Sequence, residues 1–273
     1  MINSIVQESI RKNNPKWEFP NFSVDEYFKK NNKYLVVVFV INEGERIKSQ
    51  LKKTKPFSKM VDIVIADGGS TDGSLEPRFL KDCGIRALLT KLGGGKLSAQ
   101  MRMAFAWALS EGYEGVIVVD GNDKDDVSAI PNFIKLLDHG YDHIQGSRFI
   151  TGGRAVNTPL TRKIGLRLIH APLISLASGK RHTDTTNGFR AYSAQLLNDQ
   201  SVSVFRDIFK TYEMHYYLAI ESSRQAKFKT IETPVTRSYP KKGKTVTKIS
   251  PIKGNLHILN VLFGAVVGRY RPK

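Results

Sequence analysis

The chain is poor in three things. One cysteine, Cys83, stands among 273 residues, which excludes an internal disulfide framework and a cysteine-built zinc site. No apolar run approaches the roughly 18 to 20 residues needed to span a bilayer. Acidic groups are scarce, with 25 Asp and Glu against 42 Lys and Arg, a net charge of +17. The first residues, MINSIVQESIRKNN, lack the apolar segment of a secretory signal, so a reducing cytoplasm is expected. With 41% apolar residues the chain buries enough surface to offset its ordering entropy, and disorder is excluded. Its length suits one large α/β domain or two small ones.

The excess charge is concentrated. Residues 147–181 carry seven Lys/Arg and no acid, and residues 237–273 carry nine and no acid. Two positive patches on a nearly neutral body predict an anionic ligand or an anionic membrane surface, with a solvated basic face as the plainer alternative. No nucleic-acid partner is expected, because helix-turn-helix, zinc and RNP-type signatures are all missing. Each patch also holds a short apolar run, LIHAPLISLAS at 168–178 and ILNVLFGAVVG at 258–268. Flanked by Arg and Lys, these suit helices lying in a membrane interface, or else ordinary core helices.

Residues 1–33 are polar and broken by Asn13-Asn14-Pro15 and Asn31-Asn32. They read as an N-terminal extension, a helix and a loop draped on the body. YLVVVFVI at 34–41 is a continuous β-branched run, as a strand buried on both faces of a parallel sheet requires. Further strands are expected at 61–66, 85–89 and 115–119. Leu97, Met101, Phe105 and Ala108 share one helical face, and Ile130, Phe133, Ile134 and Leu137 repeat the pattern behind Asp125-Asp126 as a cap. Strand and helix in alternation make an α/β array with a mostly parallel sheet.

In such sheets ligands bind at the carboxyl ends of strands. Three of those ends carry acidic or glycine-bearing loops: Asn42-Glu43-Gly44-Glu45, Asp67-Gly-Gly-Ser-Thr-Asp72-Gly73, and Asp120-Gly121-Asn122-Asp123. Phosphate-loop readings fail. Gly93-Gly94-Gly95-Lys96-Leu97-Ser98 has Ser98 where a dinucleotide fingerprint needs glycine, and Leu97 where a Walker loop needs a hydroxyl. Acidic strand ends instead suit a hard divalent cation, Mg²⁺ or Mn²⁺, with Asp120 and Asn122 as ligands and a leaving diphosphate as its other partner.

These loops, in order, resemble the family 2 glycosyltransferases of GT-A fold. Gln145-Gly-Ser-Arg148-Phe149, Asp184-Thr-Thr-Asn-Gly188-Phe-Arg190-Ala-Tyr192, and Glu232-Thr-Pro-Val235 leading to Arg237 further resemble the dolichyl- and polyprenyl-phosphate mannosyltransferase branch. The resemblance spans residues 34–250, leaving 251–273 as a C-terminal basic and apolar helix suited to a membrane interface. It implies that Phe39, Ile41, Glu43 and Asp67 cradle the nucleoside of a UDP- or GDP-sugar. It places Asp120 and Gly121 at the diphosphate, with Arg148, Arg237 and Lys244 gripping phosphate; Lys242 competes with Lys244. Three departures stand out. Phe39 and Ile41 replace the usual Pro and Tyr, Gly68 replaces a second Asp, and Asn122 replaces the second Asp of the metal motif, with Asp123 next door as a substitute ligand.

The implied reaction is metal-dependent transfer of a sugar from a nucleotide-sugar to a lipid-linked phosphate, with inversion, by an enzyme peripheral to the inner face of the membrane. If a base is needed, Asp184 is preferred over Glu213 and His215, because it opens a motif. Transfer to a saccharide hydroxyl in surface polysaccharide synthesis is the alternative acceptor chemistry. A non-catalytic module for anionic lipid or nucleic acid is the alternative of another class.

Overall fold

The computed structural model describes residues 2–240, 250 and 253–272. In chain order its first half runs α1 (Ile2–Asn13), β1 (Phe22–Glu26), β2 (Tyr34–Val40), α2 (Glu45–Thr54), β3 (Asp62–Asp67), α3 (Pro77–Asp82), β4 (Ala87–Lys91), α4 (Leu97–Ser110), β5 (Gly115–Asp120), α5 (Ile130–Asp138) and β6 (His143–Ser147). The second half runs β7 (Arg154–Val156), α6 (Leu160–Gly165), a wide π turn (Leu166–His170), α7 (Ala171–Ser178), β8 (Arg190–Ser193), α8 (Ala194–Asn198), α9 (Glu213–Arg224), β9 (Thr230–Pro234), β10 (Thr236–Ser238) and α10 (Lys253–Val266).

Among the described residues eight strands form one sheet in the order β1-β4-β3-β2-β5-β8-β6-β9. The central pairs β4–β3, β3–β2 and β2–β5 are parallel, as is β6–β9. β1 and β8 run against their neighbours. All seven residues of β2 are buried. Leu35, Val37 and Phe39 face a layer holding Phe105 and Trp107 of α4 and Leu218 of α9. Val36, Val38 and Val40 face the opposite layer, with Ile47 of α2 and Phe133 of α5. This two-sided burial is why the run shows no polar alternation, and each such side chain contributes about 1.5–3 kcal/mol.

The N-terminal extension is part of the sheet rather than draped on it. β1 pairs antiparallel with β4, Phe22 opposite Lys91 through Glu26 opposite Ala87. The physical reason is apolar: Phe19 and Phe22 enter the main core, and Trp17 stacks on Phe205 with ring centroids 4.0 Å apart. At the other end, α10 sends Val261, Leu262 and Ala265 into that core and leaves Leu256 and Phe263 exposed, with Val267 exposed just past its end.

A second, two-stranded sheet pairs β10 with β7 in parallel, Arg237 opposite Ala155. It lies over the loop after β5, where Asp126 N–H donates to Thr236 O at 2.9 Å and Ser238 N–H donates to Lys124 O at 2.8 Å. Residues more than a hundred positions apart thereby share one rim.

Candidate active site

The carboxyl ends of β3, β2 and β5 lie side by side. Val40 pairs with Asp67 across one ladder and Phe39 with Asp120 across the other. Above this rim opens a cavity of about 850 Å³, within the size range of small-molecule sites. Phe39, Ile41, Glu43, Asp120, Gly121, Asn122, Arg148 and Arg237 all line it. Two expected residues do not. Asp67 is buried beneath the rim, its oxygens taken by Ser70 N–H at 2.9 Å and the Ser70 hydroxyl at 2.5 Å. Asp184 lies behind the wall, fully enclosed, with Nε of Arg148 at 2.6 Å. Both are withdrawn from the cavity because their own neighbours saturate them. Lys244 and Lys242 lie outside the described residues.

Glu43 sits at the mouth and pairs with Arg46 at 2.7 Å. Asp72 fixes its own turn, accepting from Ser74 N–H and from Gly44 N–H at 2.8 Å. Its slight burial is outweighed by these hydrogen bonds, which hold the carboxyl below the usual range. Asp123 turns away from the rim toward α2, accepting from the Ser49 hydroxyl at 2.7 Å and pairing with Lys53 at 2.8 Å. Its oxygens are thereby held on the α2 side of the loop. Asp126 caps the turn that follows through Ser128 N–H at 3.0 Å, whereas Asp125 does not cap at all. Asp125 is buried against Arg237 instead.

Arg237 joins two carboxylates, Asp125 and, at 3.1 Å, Asp120. Burial alone opposes its charge, but Asp125 and Asp120 outweigh it and keep the guanidinium protonated. Burial likewise pushes the Asp125 carboxyl up, against the pull of Arg237. Asp120 keeps its other oxygen, Oδ1, outside any hydrogen bond among the described residues. Gly188 guards the space beside it: a Cβ there lies 2.9 Å from Asp120 Oδ1. Asn122 places its amide nitrogen 3.5 Å from Asp120 Oδ2, while its oxygen accepts from Lys124 N–H at 3.3 Å. No cluster of three His, Cys, Asp or Glu side chains exists among the described residues. The open carboxylate oxygen would fit a hard cation that takes most of its oxygens from substrate phosphate and water, and Asn122 would join it once its amide oxygen turned toward Asp120.

The cavity is strongly cationic. Eight Lys or Arg line it against two carboxylates, Glu43 and Asp120. Several of these the sequence reading missed. Lys91, at the end of β4, is pulled below the usual lysine range by burial, with Asp67 opposing. Lys96 comes from the glycine loop at 93–95, which matches no phosphate-loop motif yet lines the cavity. Arg190 is buried and donates to three backbone carbonyls, of His215 at 2.7 Å, Thr185 at 2.8 Å and Asn187 at 2.9 Å. Gln100 stitches β2 to β3, its amide donating to Val40 O and Ala66 O at 3.0 Å each. A helix interior gives no signal for that role. Lys124 and Tyr239 were legible only as neighbours of Asn122 and Arg237.

Of the other two candidate bases, only Glu213 is engaged. Glu213 accepts from Thr211 N–H at 2.6 Å. His215 lines the cavity, but burial, then Arg190 and His143, hold its pKa well below the ordinary value.

The glycosyl transferase family 2 model matches residues 35–202. The chain belongs to glycosyl transferase family 2. This glycosyltransferase is 27% identical over 210 residues to an undecaprenyl-phosphate mannosyltransferase of Micrococcus luteus, covering 74% of this chain and 82% of that one. It is 24% identical over 205 residues to a polyprenol monophosphomannose synthase of Mycolicibacterium smegmatis, covering 74% and 76%. Its fold is GT-A, like that of glucosyl-3-phosphoglycerate synthase from Mycobacterium tuberculosis, solved with Mn²⁺, UDP and phosphoglyceric acid. The TM-score is 0.61 at 15% identity, covering 88% of this chain and 80% of the other. No helix among the described residues of the glycosyltransferase is long and apolar enough to cross a membrane.

Proposed function

We propose that this glycosyltransferase moves a sugar from a UDP- or GDP-sugar to a polyprenyl phosphate at the inner face of a membrane. One observation carries the reading: the cationic cavity has an apolar lip. Ile169 of the π turn and Ile258 and Leu259 of α10 line the cavity itself. Beside them Leu168 and Leu176 stand 72% and 81% exposed. Apolar side chains this exposed, on a segment carrying Arg162, Lys163, Arg167, Lys180 and Arg181, suit an anionic bilayer surface. A lipid phosphate held there meets the cavity head first.

At the strand ends Phe39, Ile41 and Glu43 would take the nucleoside, and Arg148 and Arg237 the phosphates as forked donors. Asp120 and Asn122 would hold Mg²⁺ or Mn²⁺, which neutralises charge developing on the departing diphosphate. The acceptor needs no dedicated base. A phosphate monoester, with its second pKa near 6, is largely ionised at neutral pH, which agrees with Asp184 and Glu213 both being engaged elsewhere. In-line attack then inverts the anomeric centre. Asp184 acts by positioning Arg148.

The test is nucleoside diphosphate release across UDP- and GDP-sugars, with and without Mn²⁺ or Mg²⁺ and a short polyprenyl phosphate. Release that requires the lipid phosphate is the expected result. Release only with a saccharide acceptor, or none with any donor, overturns the reading.

A further inference from the structure

Three cations converge on one aromatic ring at the cavity wall. Lys124 Nζ lies 5.4 Å from the Tyr239 ring centroid, the Arg162 guanidinium carbon 5.7 Å and that of Arg237 5.9 Å. All four side chains line the cavity. Lys124 is not there by accident of a long side chain, because its backbone is fixed on both sides: its N–H donates to Asn122 Oδ1 at 3.3 Å and its carbonyl accepts from Ser238 N–H at 2.8 Å. Arg237 is paired with Asp125 and Asp120, and Arg162 donates to the Tyr239 hydroxyl at 3.3 Å, yet the three cations still stand close together, and a multivalent anion among them relieves their mutual repulsion.

The same loop is weak where a divalent ion needs strength. Asn122 brings an amide in place of a second carboxylate, and the carboxylate of Asp120 is already shared with Arg237 at 3.1 Å. Divalent-cation sites gain affinity from carboxylate charge, and here that charge is partly cancelled.

We propose that Lys124, with Arg162 and Arg237 around Tyr239, is a built-in cation site for the donor diphosphate, so that the nucleotide binds without a divalent metal. This rests on the donor reading above. The cation at Asp120 then serves turnover more than binding.

The test is calorimetric titration of UDP and of GDP into the full-length protein, in EDTA and in Mn²⁺, with no turnover involved. The expected result is a dissociation constant in EDTA within about tenfold of that in Mn²⁺, roughly 1.4 kcal/mol. Lys124→Met should weaken binding in EDTA by about tenfold or more, and Lys124→Arg should restore it; thermal melts check that both variants fold. Wild-type binding that falls by more than about tenfold when Mn²⁺ is removed overturns this proposal and leaves the donor reading standing. So does a Lys124→Met variant that binds like the parent. Absence of UDP and GDP binding with Mn²⁺ present overturns both.

Discussion

Asp184 holds Arg148 by both carboxylate oxygens, Nε to Oδ2 at 2.6 Å and a terminal nitrogen to Oδ1 at 2.9 Å, with the two side chains 0% and 4% exposed. Arg148 N–H adds a third contact to Oδ2 at 3.2 Å. Removing one member of a buried pair leaves the other uncompensated, a cost of about 3–5 kcal/mol. Asp184→Asn should lower the melting temperature by several degrees and reduce kcat/KM. The acid limb of the pH–rate profile should stay near the second pKa of the acceptor phosphate, about 6. A limb that disappears with Asp184 would instead make that residue the base.

Asp120→Ala removes the open oxygen beside Gly188 but leaves Arg237 its partner Asp125. The fold should persist while stimulation of turnover by Mn²⁺ is lost, with kcat down about 100-fold or more. Parental turnover in Mn²⁺ would show that Asp120 holds no cation.

Two glycines should behave differently. A Cβ on Gly188 meets the Asp120 carboxylate at 2.9 Å, whereas a Cβ on Gly146 meets the Phe189 carbonyl at 2.6 Å, backbone that cannot yield. Gly188→Ala should therefore cost mainly activity. Gly146→Ala should cost about 1–3 kcal/mol of stability, read as a shift in the urea midpoint.

Acid should unfold the protein through its buried histidines. Burial, then Arg190, hold His143 well below the ordinary pKa and bring His182 down to about 4. The unfolded chain therefore binds more protons, and stability rises with pH in this window. It is fully present above the unfolded value of about 6.5 and is lost as pH falls from there toward 4, at up to about 1.4 kcal/mol per pH unit for each group. Urea midpoints at pH 7.5, 6 and 5 should fall in that order, and His182→Gln should flatten the decline.

Leu168→Asp combined with Leu176→Asp places charge on two of the most exposed leucines beside the cavity lip. Co-sedimentation with anionic vesicles should drop about tenfold, with nucleotide binding unchanged. Vesicle binding by the variant equal to that of the parent would remove the membrane from the proposal.

Much of the site was legible because it depends on local pattern. The unbroken run at 34–40 announces a doubly covered strand, and once the strands are placed their acidic ends are placed too. The helix over 97–110 and its stop at Gly112, with φ of +71°, follow from apolar spacing and one left-handed residue. Less was legible where a side chain's partner is distant in sequence. The pairing of Arg237 with Asp125 spans 112 positions, and nothing near Asp125 distinguishes an ion-paired carboxylate from a helix cap. Phe22 gives no local hint that its strand will add to the edge of β4.

The sequence by itself determined the parallel α/β core, the acidic rim at three strand ends and the two basic, apolar flanks, because these rest on periodicity and composition. Only the tertiary structure decided which charges are spent. Asp67 and Asp184 turn inward to saturated partners and Arg190 gives its guanidinium to backbone carbonyls, while Lys91, Lys96 and Lys124 line the cavity. The reason is that a charge's role is set by its nearest counter-charge and its access to water, and both are properties of the folded chain rather than of its neighbours in sequence.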